Sequence, residues 1–305
     1  MDGRPQDCMT VGMIHFMAYP DTMRGEGPVV ETVAALCEDD YFGAIEVTHV
    51  ADPKAREEAA GIAREAGKKV AFGAQPILLS RGLNLNAPDP EERRKAVDAC
   101  REAVEEAIEW DACGVAVLSG EDPGEEGRKE QTGYLLASLK EVCEHSRVSQ
   151  GPPVLLETFD RVGFGKNRLI GPTREAAAVA RHVVSYFPRF GLMIDLSHLP
   201  LLGETPQEAV QAAKPHLKHV HIGNCVMRDP GHPAYGDNHP VFGIPEGENG
   251  VGELAEFLRA LLEAEYIGPE RPGVVSFELK PFGEQGSQDV ISNAKETLDA
   301  AWAAV

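Results

Sequence analysis

Four residues able to bind a metal ion stand in short apolar stretches in the second half of the sequence. They are Glu157 in PVLLETFD, Asp195 in GLMIDLSH, His221 in HVHIGNC and Glu278 in VVSFELKP. Burying a carboxylate costs free energy unless a cation or a hydrogen-bond donor compensates its charge. Three carboxylates and one imidazole suit a divalent ion; we expect manganese, with magnesium, cobalt or zinc as alternatives. If the stretches that carry them lie side by side, these four residues converge on one metal ion.

These stretches belong to an alternation of strands and helices that runs along the whole chain. Short β-rich runs predict strands at residues 11–16, 44–50, 69–76, 113–120, 153–160, 191–198, 219–225 and 274–281. Amphipathic segments predict helices at residues 29–39, 53–66, 89–109, 127–147, 173–187, 206–213, 251–265 and 287–303. Eight such units without a linker between halves predict one α/β domain over residues 1–305, a single (β/α)8 TIM barrel. A doubly wound sheet is the structural alternative, but HFMAYPDTMRGEG lacks the GxGxxG turn typical of it.

Further polar residues are candidates for lining the same pocket. His219 and His221 face the same way because strand side chains alternate, and His221, nearer the carboxyl end, is the expected ligand. His198 follows Asp195 by three residues and reaches the pocket from a loop, where it binds either a second ion or the substrate. The other candidates, on the first three strands, are His15, Glu46, His49 and Gln75.

The longest irregular segment, residues 224–250, lies between the seventh strand and its helix. In a barrel, such a loop is at the carboxyl ends of the strands, where active sites form. Long loops in compact domains are usually functional. We therefore expect this loop to contribute to the site.

The sequence resembles the xylose isomerase-like TIM barrel superfamily, particularly its sugar phosphate isomerases and epimerases similar to ketose 3-epimerases. The resemblance extends over essentially the whole chain through the order of the eight units, and it is carried by LLETFD, MIDLSHLP, HVHIGN and SFELKP. It implies a metal-dependent isomerase or epimerase of a keto sugar or related carbohydrate. It also implies a small-molecule carbohydrate substrate and a homo-oligomer, either a dimer or a tetramer.

The resemblance assigns roles to individual residues. It implies that Glu157 and Glu278, besides binding the metal, form an acid/base pair on opposite faces of the sugar. It makes His198 a substrate contact, and Arg228 in NCVMRD a second one. Removing a proton next to a carbonyl gives an enediolate, whose negative oxygens a divalent ion stabilises. Proton return to the opposite face gives an epimer, and return to the neighbouring carbon gives an isomer; the sequence does not separate these outcomes.

Two segments depart from the epimerases that the sequence most resembles. ETFDRVGFGKNRLIGPT follows the fifth strand, which makes Asp160 and Lys166 candidates for a different substrate contact. The loop after the seventh strand contains YGDNHP, and its His239 is a further candidate for substrate binding. These departures leave the substrate open.

Three other functions fit part of the pattern. A lyase similar to C-glycoside deglycosidases begins with the same enolisation, and the loop at 226–249 would then shape a larger pocket or contact a partner subunit. An apurinic endonuclease with three zinc ions would gain Asp237 and His239 as ligands. It also needs histidines after strands three and four, where Gln75 and Ser119 stand. A non-catalytic sugar-binding protein is the third alternative, and the complete set of four ligands argues against it.

Charge and composition restrict the partners. The formal net charge of −20 opposes binding to nucleic acid and to anionic membranes. No apolar run approaches the roughly 18 residues of a membrane span. The start MDGRPQDCMT lacks the basic and apolar parts of a secretory signal. We therefore expect a cytoplasmic protein that acts on a small molecule.

Overall fold

The computed structural model describes residues 3–161 and 163–305, and within them eight parallel strands close into a barrel. The strands are β1 (Thr10–Ile14), β2 (Ala44–Val47), β3 (Lys69–Gly73), β4 (Val115–Leu118), β5 (Val154–Glu157), β6 (Gly191–Asp195), β7 (Leu217–Gly223) and β8 (Val274–Glu278). Each strand pairs with its neighbours in the sequence, and β8 closes the barrel against β1. The predicted (β/α)8 TIM barrel is confirmed.

Eleven α-helices accompany the strands in the described part of the chain. They are α1 (His15–Ala18), α2 (Val29–Glu38), α3 (Pro53–Glu65), α4 (Gln75–Ser80), α5 (Pro90–Glu109), α6 (Glu125–Val148), α7 (Thr173–Val184), α8 (His198–Leu202), α9 (Pro206–Ala213), α10 (Val251–Glu263) and α11 (Ser287–Ala303). The eight predicted helices correspond to α2, α3, α5, α6, α7, α9, α10 and α11. Across the described ranges, no helix combines the length and the apolar character needed to span a bilayer.

Three strands end earlier than predicted because the chain turns into a short helix. The predictions over 11–16, 69–76 and 191–198 were too long, since α1, α4 and α8 begin within those ranges. Pro76 and Pro200 lie in the first turns of α4 and α8. A proline is tolerated there, whereas in a strand it would remove a ladder hydrogen bond. The polar residues at these ends therefore extend from helical turns rather than from strands.

The longer helices bury an apolar face against the outside of the barrel. In α7 the buried face repeats at intervals of three and four residues, through Ala176, Val179, Ala180 and Val183. Inside the barrel, Ala116, Leu155 and Met193 form a small buried cluster of their own. This packing fills the interior, so polar side chains gather at the carboxyl ends of the strands.

The closure of the barrel depends on the absence of a side chain at Gly12 in β1. A Cβ there would lie 2.3 Å from Ser276 Oγ on β8, whereas a Cβ at Gly61 in α3 would meet nothing within 4 Å. We predict that Gly12→Ala lowers the free energy of unfolding by about 1–3 kcal/mol, because the interior is overpacked. Gly61→Ala, the matched control, should raise it by roughly 0.5–1 kcal/mol through helix propensity. Urea unfolding tests both; a neutral Gly12→Ala would contradict this account of the closure.

Candidate functional site

A cavity of about 410 Å³ opens at the carboxyl ends of the strands. Part of its lining is apolar, with Ile14, Phe16, Met17 and Phe159. The lining also includes ionisable and polar groups from several strands and loops, among them Glu46, Gln75, Glu157, His221, Asp237, His239 and Glu278. A cavity with apolar lining and a few convergent polar groups is the usual form of a small-molecule site.

The structure brings the four predicted metal ligands together. One ligand atom each from Glu157, Asp195, His221 and Glu278 lies within 4.8 Å of the others. Asp195 is fully buried, and Glu157 and His221 are nearly so, while 13% of the Glu278 side chain is exposed. The four residues come from β5 to β8, which are consecutive in the barrel. The arrangement could hold a metal ion.

Neighbouring side chains fix three of these four groups. Ser197 donates from its backbone N–H to Asp195 Oδ1 at 2.7 Å and from its hydroxyl to Oδ2 at 2.6 Å. The Gln75 amide donates to Glu157 Oε2 at 2.7 Å. His221 Nε2 lies 3.0 Å from Glu46 Oε2. A hydrogen bond from Nε2 to a carboxylate leaves Nδ1 as the nitrogen with a free lone pair, as in metal-binding histidines.

Three buried atoms in this group lack a hydrogen-bond partner among the described residues: Glu157 Oε1, His221 Nδ1 and Glu278 Oε2. Nδ1 lies 2.7 Å from the Glu278 oxygen and 3.3 Å from the Glu157 oxygen, but the angles do not make hydrogen bonds. Unsatisfied buried polar atoms are rare and need an explanation. Donor atoms that converge without bonding one another fit the coordination of a shared cation.

Burial and neighbouring charges also shift the pKa values of this group. Burial raises the pKa of Asp195 above its usual range. Burial alone would lower the pKa of His221, but Glu46 and Glu278 raise it well above its usual value. Charged groups in a low-dielectric interior must be compensated. A proton on His221 or on Asp195, or a metal ion, could each supply this compensation.

A second group lies beside the first and consists of His198, Asp237 and His239 next to Asp195. Asp237 Oδ1 is 3.1 Å from His198 Nε2 and 2.7 Å from His239 Nε2. Ligand atoms of Asp195, His198 and His239 are close enough to hold an ion of their own. His239 has a left-handed backbone with φ 52° and also approaches Glu278 Oε1 at 3.3 Å. Such strain in a residue other than glycine is often found at functional sites.

His198 does not lie on the cavity wall, where the resemblance would place it as a substrate contact. Its side chain is fully buried, and its Nδ1 lies 2.6 Å from the carbonyl oxygen of Thr158. Nε2 faces Asp237. The ring begins the helical turn of α8, and its contacts are with the Thr158 carbonyl and the Asp237 carboxylate.

Glu46 lies between two histidines of β7. It contacts Nε2 of His219 as well as Nε2 of His221, and it also lines the cavity. Burial alone would raise the pKa of Glu46, but the two histidines hold it well below its usual range. Through its contact with Nε2, Glu46 fixes the orientation of the His221 ring.

Two other candidate substrate contacts lie outside the cavity lining. His15 begins α1, and its Nε2 is 2.7 Å from the Thr32 hydroxyl. Arg228 is 70% exposed in its side chain and pairs with Glu248 at 2.7 Å. The early end of β1 turns His15 away from the barrel axis, and the loop after β7 carries Arg228 to the surface.

Lys166 lines the cavity. Asp160, the other substrate contact predicted in this segment, instead stabilises the loop that follows β5. Asp160 is fully buried and accepts the backbone N–H groups of Lys166 at 3.1 Å and Asn167 at 3.0 Å. It thus fixes the loop that presents Lys166. The intervening Val162 lies outside the described residues.

Sequence reasoning missed three residues of this region. Lys280 and Arg24 line the cavity, and Ser197 positions Asp195. The alternation of strand side chains could have identified Lys280, which follows Glu278 by two positions and so faces the same side. For Arg24 and Ser197, no pattern in the sequence gives a comparable signal.

The long loop after β7 is held in place by two buried asparagines. Asn224 accepts the N–H groups of Cys225 and Asn249 and donates to the Val241 carbonyl. Asn249 donates to the carbonyls of Leu196 and Gly223. These hydrogen bonds stabilise a loop that has no regular strand or helix. They fix its path so that Asp237 and His239 lie at the cavity. Asp237 and His239 from this loop line the cavity, where the sequence predicted a contribution.

Comparisons with known proteins place this geometry in context. A family model described as xylose isomerase-like TIM barrel matches residues 34–299. No curated protein matches the sequence. Among solved structures, a D-tagatose 3-epimerase-like protein is similar at TM-score 0.72 and 20% identity, over 97% of this chain and 99% of that one.

Two further structures share the fold. D-psicose 3-epimerase from Clostridium cellulolyticum H10 has TM-score 0.65 and 18% identity, over 97% of each chain. A 3-keto-D-glucoside 4-epimerase from E. coli has TM-score 0.65 and 15% identity, over 95% of this chain and 98% of that one. Both are named as sugar epimerases.

The position of His15 predicts a pH dependence of stability. Burial lowers the pKa of His15 to about 4, whereas an unfolded histidine takes up its proton near 6.5. The unfolded state binds the proton more readily, so the free energy of unfolding falls as the pH drops from 6.5 to 4, by up to about 3 kcal/mol. His15→Gln should remove this contribution. Urea unfolding of both proteins across the window measures it, and parallel pH curves would contradict the buried, neutral state of His15.

Proposed function

This chain belongs to the xylose isomerase-like TIM barrel family, and we propose that it is a divalent-metal-dependent isomerase or epimerase of a keto sugar or related carbohydrate. The observation that carries the proposal is the convergence of Glu157, Asp195, His221 and Glu278 with unsatisfied donor atoms. The names of similar structures, which are sugar 3- and 4-epimerases, support a carbohydrate substrate.

Glu157, Asp195, His221 and Glu278 would hold the ion, and we expect manganese. When bound, a divalent ion supplies positive charge that stabilises the oxygens of an enediolate. Ser197 and Glu46 keep Asp195 and His221 oriented for this task. Mutation of such a hydrogen-bond partner commonly lowers metal affinity by roughly 10- to 100-fold. We expect a loss of that size when either Ser197 or Glu46 is replaced.

Glu157 and Glu278 are the proposed acid and base. They lie on β5 and β8, three strands apart in an eight-stranded barrel, so they face the cavity from different sides. Gln75 donates to Glu157 Oε2 and so fixes the orientation of this carboxyl group. His239 and His221 lower the pKa of Glu278 against the opposing effect of burial, which favours its ionised form. We infer that Glu278 removes the proton next to the carbonyl and Glu157 delivers one.

In the nuclease alternative, part of the zinc ligand set would be His198, Asp237 and His239, which lie close together. Gln75 occupies the side of Glu157 where that site needs a histidine, and its amide nitrogen donates to the carboxylate. Ser119, after β4, accepts the Ile170 N–H instead of facing the cavity. A sugar enzyme accounts for these contacts better than a three-zinc nuclease does.

Isotope exchange tests the proposed function. Incubation of the metal-loaded protein with keto sugars in D₂O should give an isomer or epimer with deuterium at a carbon-bound position. Glu157→Gln and Glu278→Gln should each lower kcat by about 10²- to 10⁴-fold, the usual share of general acid/base catalysis.

Glu106→Gln is the matched control, because Glu106 is buried outside the cavity with His49 and the Val50 N–H as partners. It should retain wild-type turnover. Product formation without deuterium would indicate a hydride shift and refute the proton-transfer mechanism. Release of an aglycone from a 3-oxo glycoside, without isomerisation of any keto sugar, would establish the lyase alternative.

A further inference from the structure

We propose that the substrate carries an anionic group, a phosphate ester or a carboxylate, and that Arg24, Lys166 and Lys280 bind it. The inference rests on the proposed function and specifies its substrate class. All three cations line the same cavity as Glu157 and Glu278. They follow the ends of β1, β5 and β8, whereas the predicted metal ligands belong to the strands themselves. The cations therefore lie nearer the opening of the cavity.

Lys166 and Lys280 meet at one turn of the loop after β7. Lys166 Nζ lies 3.3 Å from the Asp237 carbonyl oxygen and 3.6 Å from Asp237 Oδ2. Lys280 Nζ lies 3.2 Å from Oδ1 of the next residue, Asn238. Holding two ammonium groups at adjacent residues costs free energy through like-charge repulsion. A bound anion between them would offset that cost.

The acidic residues around these cations do not neutralise all of them. Asp237 is shared by Lys166 and the two histidines, His198 and His239. Lys280 has no acidic partner within ion-pair distance among the described residues, and Arg24 has neither an ion pair nor a hydrogen bond there. The chain has 49 acidic and 29 basic residues, so acids for pairing are plentiful. Lys280 is half-buried, with the Asn238 side chain and the Phe282 ring as its neighbours, and Arg24 is exposed. Both therefore leave positive charge in the cavity lining for an anionic ligand.

The position of Lys166 is built by buried contacts rather than by a free surface loop. Asp160 accepts the Lys166 and Asn167 N–H groups, and the Arg168 N–H donates to the Asp160 carbonyl. A Cβ at Gly236 would lie 2.2 Å from the Phe164 carbonyl oxygen, so the two loops pack backbone to backbone. The loop is thus held against the turn that contacts Lys280.

A neutral sugar would satisfy these groups less well. A hydroxyl can accept one hydrogen bond from a lysine, but it brings no charge to a half-buried ammonium group. Hydrogen bonds from lysine or arginine to phosphate or carboxylate are roughly twice as strong as neutral ones. We therefore expect the cations to discriminate between anionic and neutral ketoses.

Calorimetry and kinetics on the metal-loaded protein test this discrimination with D-fructose, D-fructose 6-phosphate and D-fructuronate. At least one anionic compound should bind about 10- to 100-fold more tightly than D-fructose, the range of one charge-assisted hydrogen bond. Preference for the phosphate or for the carboxylate identifies the group. Lys280→Met and Arg24→Met should each reduce the anionic-to-neutral ratio of affinities and of kcat/KM about tenfold, and Lys280→Arg should restore much of it.

Lys129→Met is the control for net charge, since Lys129 is exposed on α6. It should leave the ratio unchanged. Arg24→Met replaces an exposed side chain, so it remains informative if the Lys280 variant fails to fold. Equal affinity for all three compounds would overturn the inference, while turnover of D-fructose would still uphold the proposed function. Tight, Lys280-dependent binding without turnover of any keto sugar would refute the function and retain the anion site.

Discussion

Compensation of buried negative charge is the constraint on which this site depends. Asp195 has no exposed surface, and Glu157 and Glu278 lie close to it together with His221. A group of carboxyl groups in a protein interior is stable when cations share the space or when some of the carboxyl groups are protonated. A proton on His221 can supply one positive charge, and a divalent ion supplies two while also occupying the unsatisfied donor atoms. The surrounding contacts are consistent with that requirement.

The barrel gathers these groups at the carboxyl ends of its strands. Four consecutive strands, β5 to β8, bring the predicted ligands together, and Ser197, Gln75 and Glu46 orient them. The loop after β7 adds Asp237 and His239 because buried asparagines fix its path. Negative charge thus concentrates at the base of the cavity, and the three cations lie closer to its opening. That distribution suits a substrate whose reacting carbons point inward and whose anionic group points outward.

Much of the fold and the core of the site could be predicted because both follow from periodicity. Strand runs alternating with amphipathic helices fix the barrel, and the strand ends then bring Glu157 and Asp195 together. The side-chain positions that could not be predicted depend on turns at the strand ends. His15 and His198 extend from short helices that the strand pattern hides, so their rings face Thr32 and Asp237 instead of the cavity. Arg228 lies at the surface and Arg24 lines the cavity, because loop paths depend on tertiary contacts that have no sequence period.

The most direct test is the metal content of the protein. Elemental analysis after equilibration with Mn²⁺ and removal of free metal should find about one ion per chain, and Asp195→Ala should lose most of it, because one of four ligands is gone. Glu106→Gln, which alters a buried carboxylate outside the cavity, should keep the ion. Wild-type protein that stays free of divalent metal under these conditions, or Asp195→Ala that retains it fully, would contradict the account.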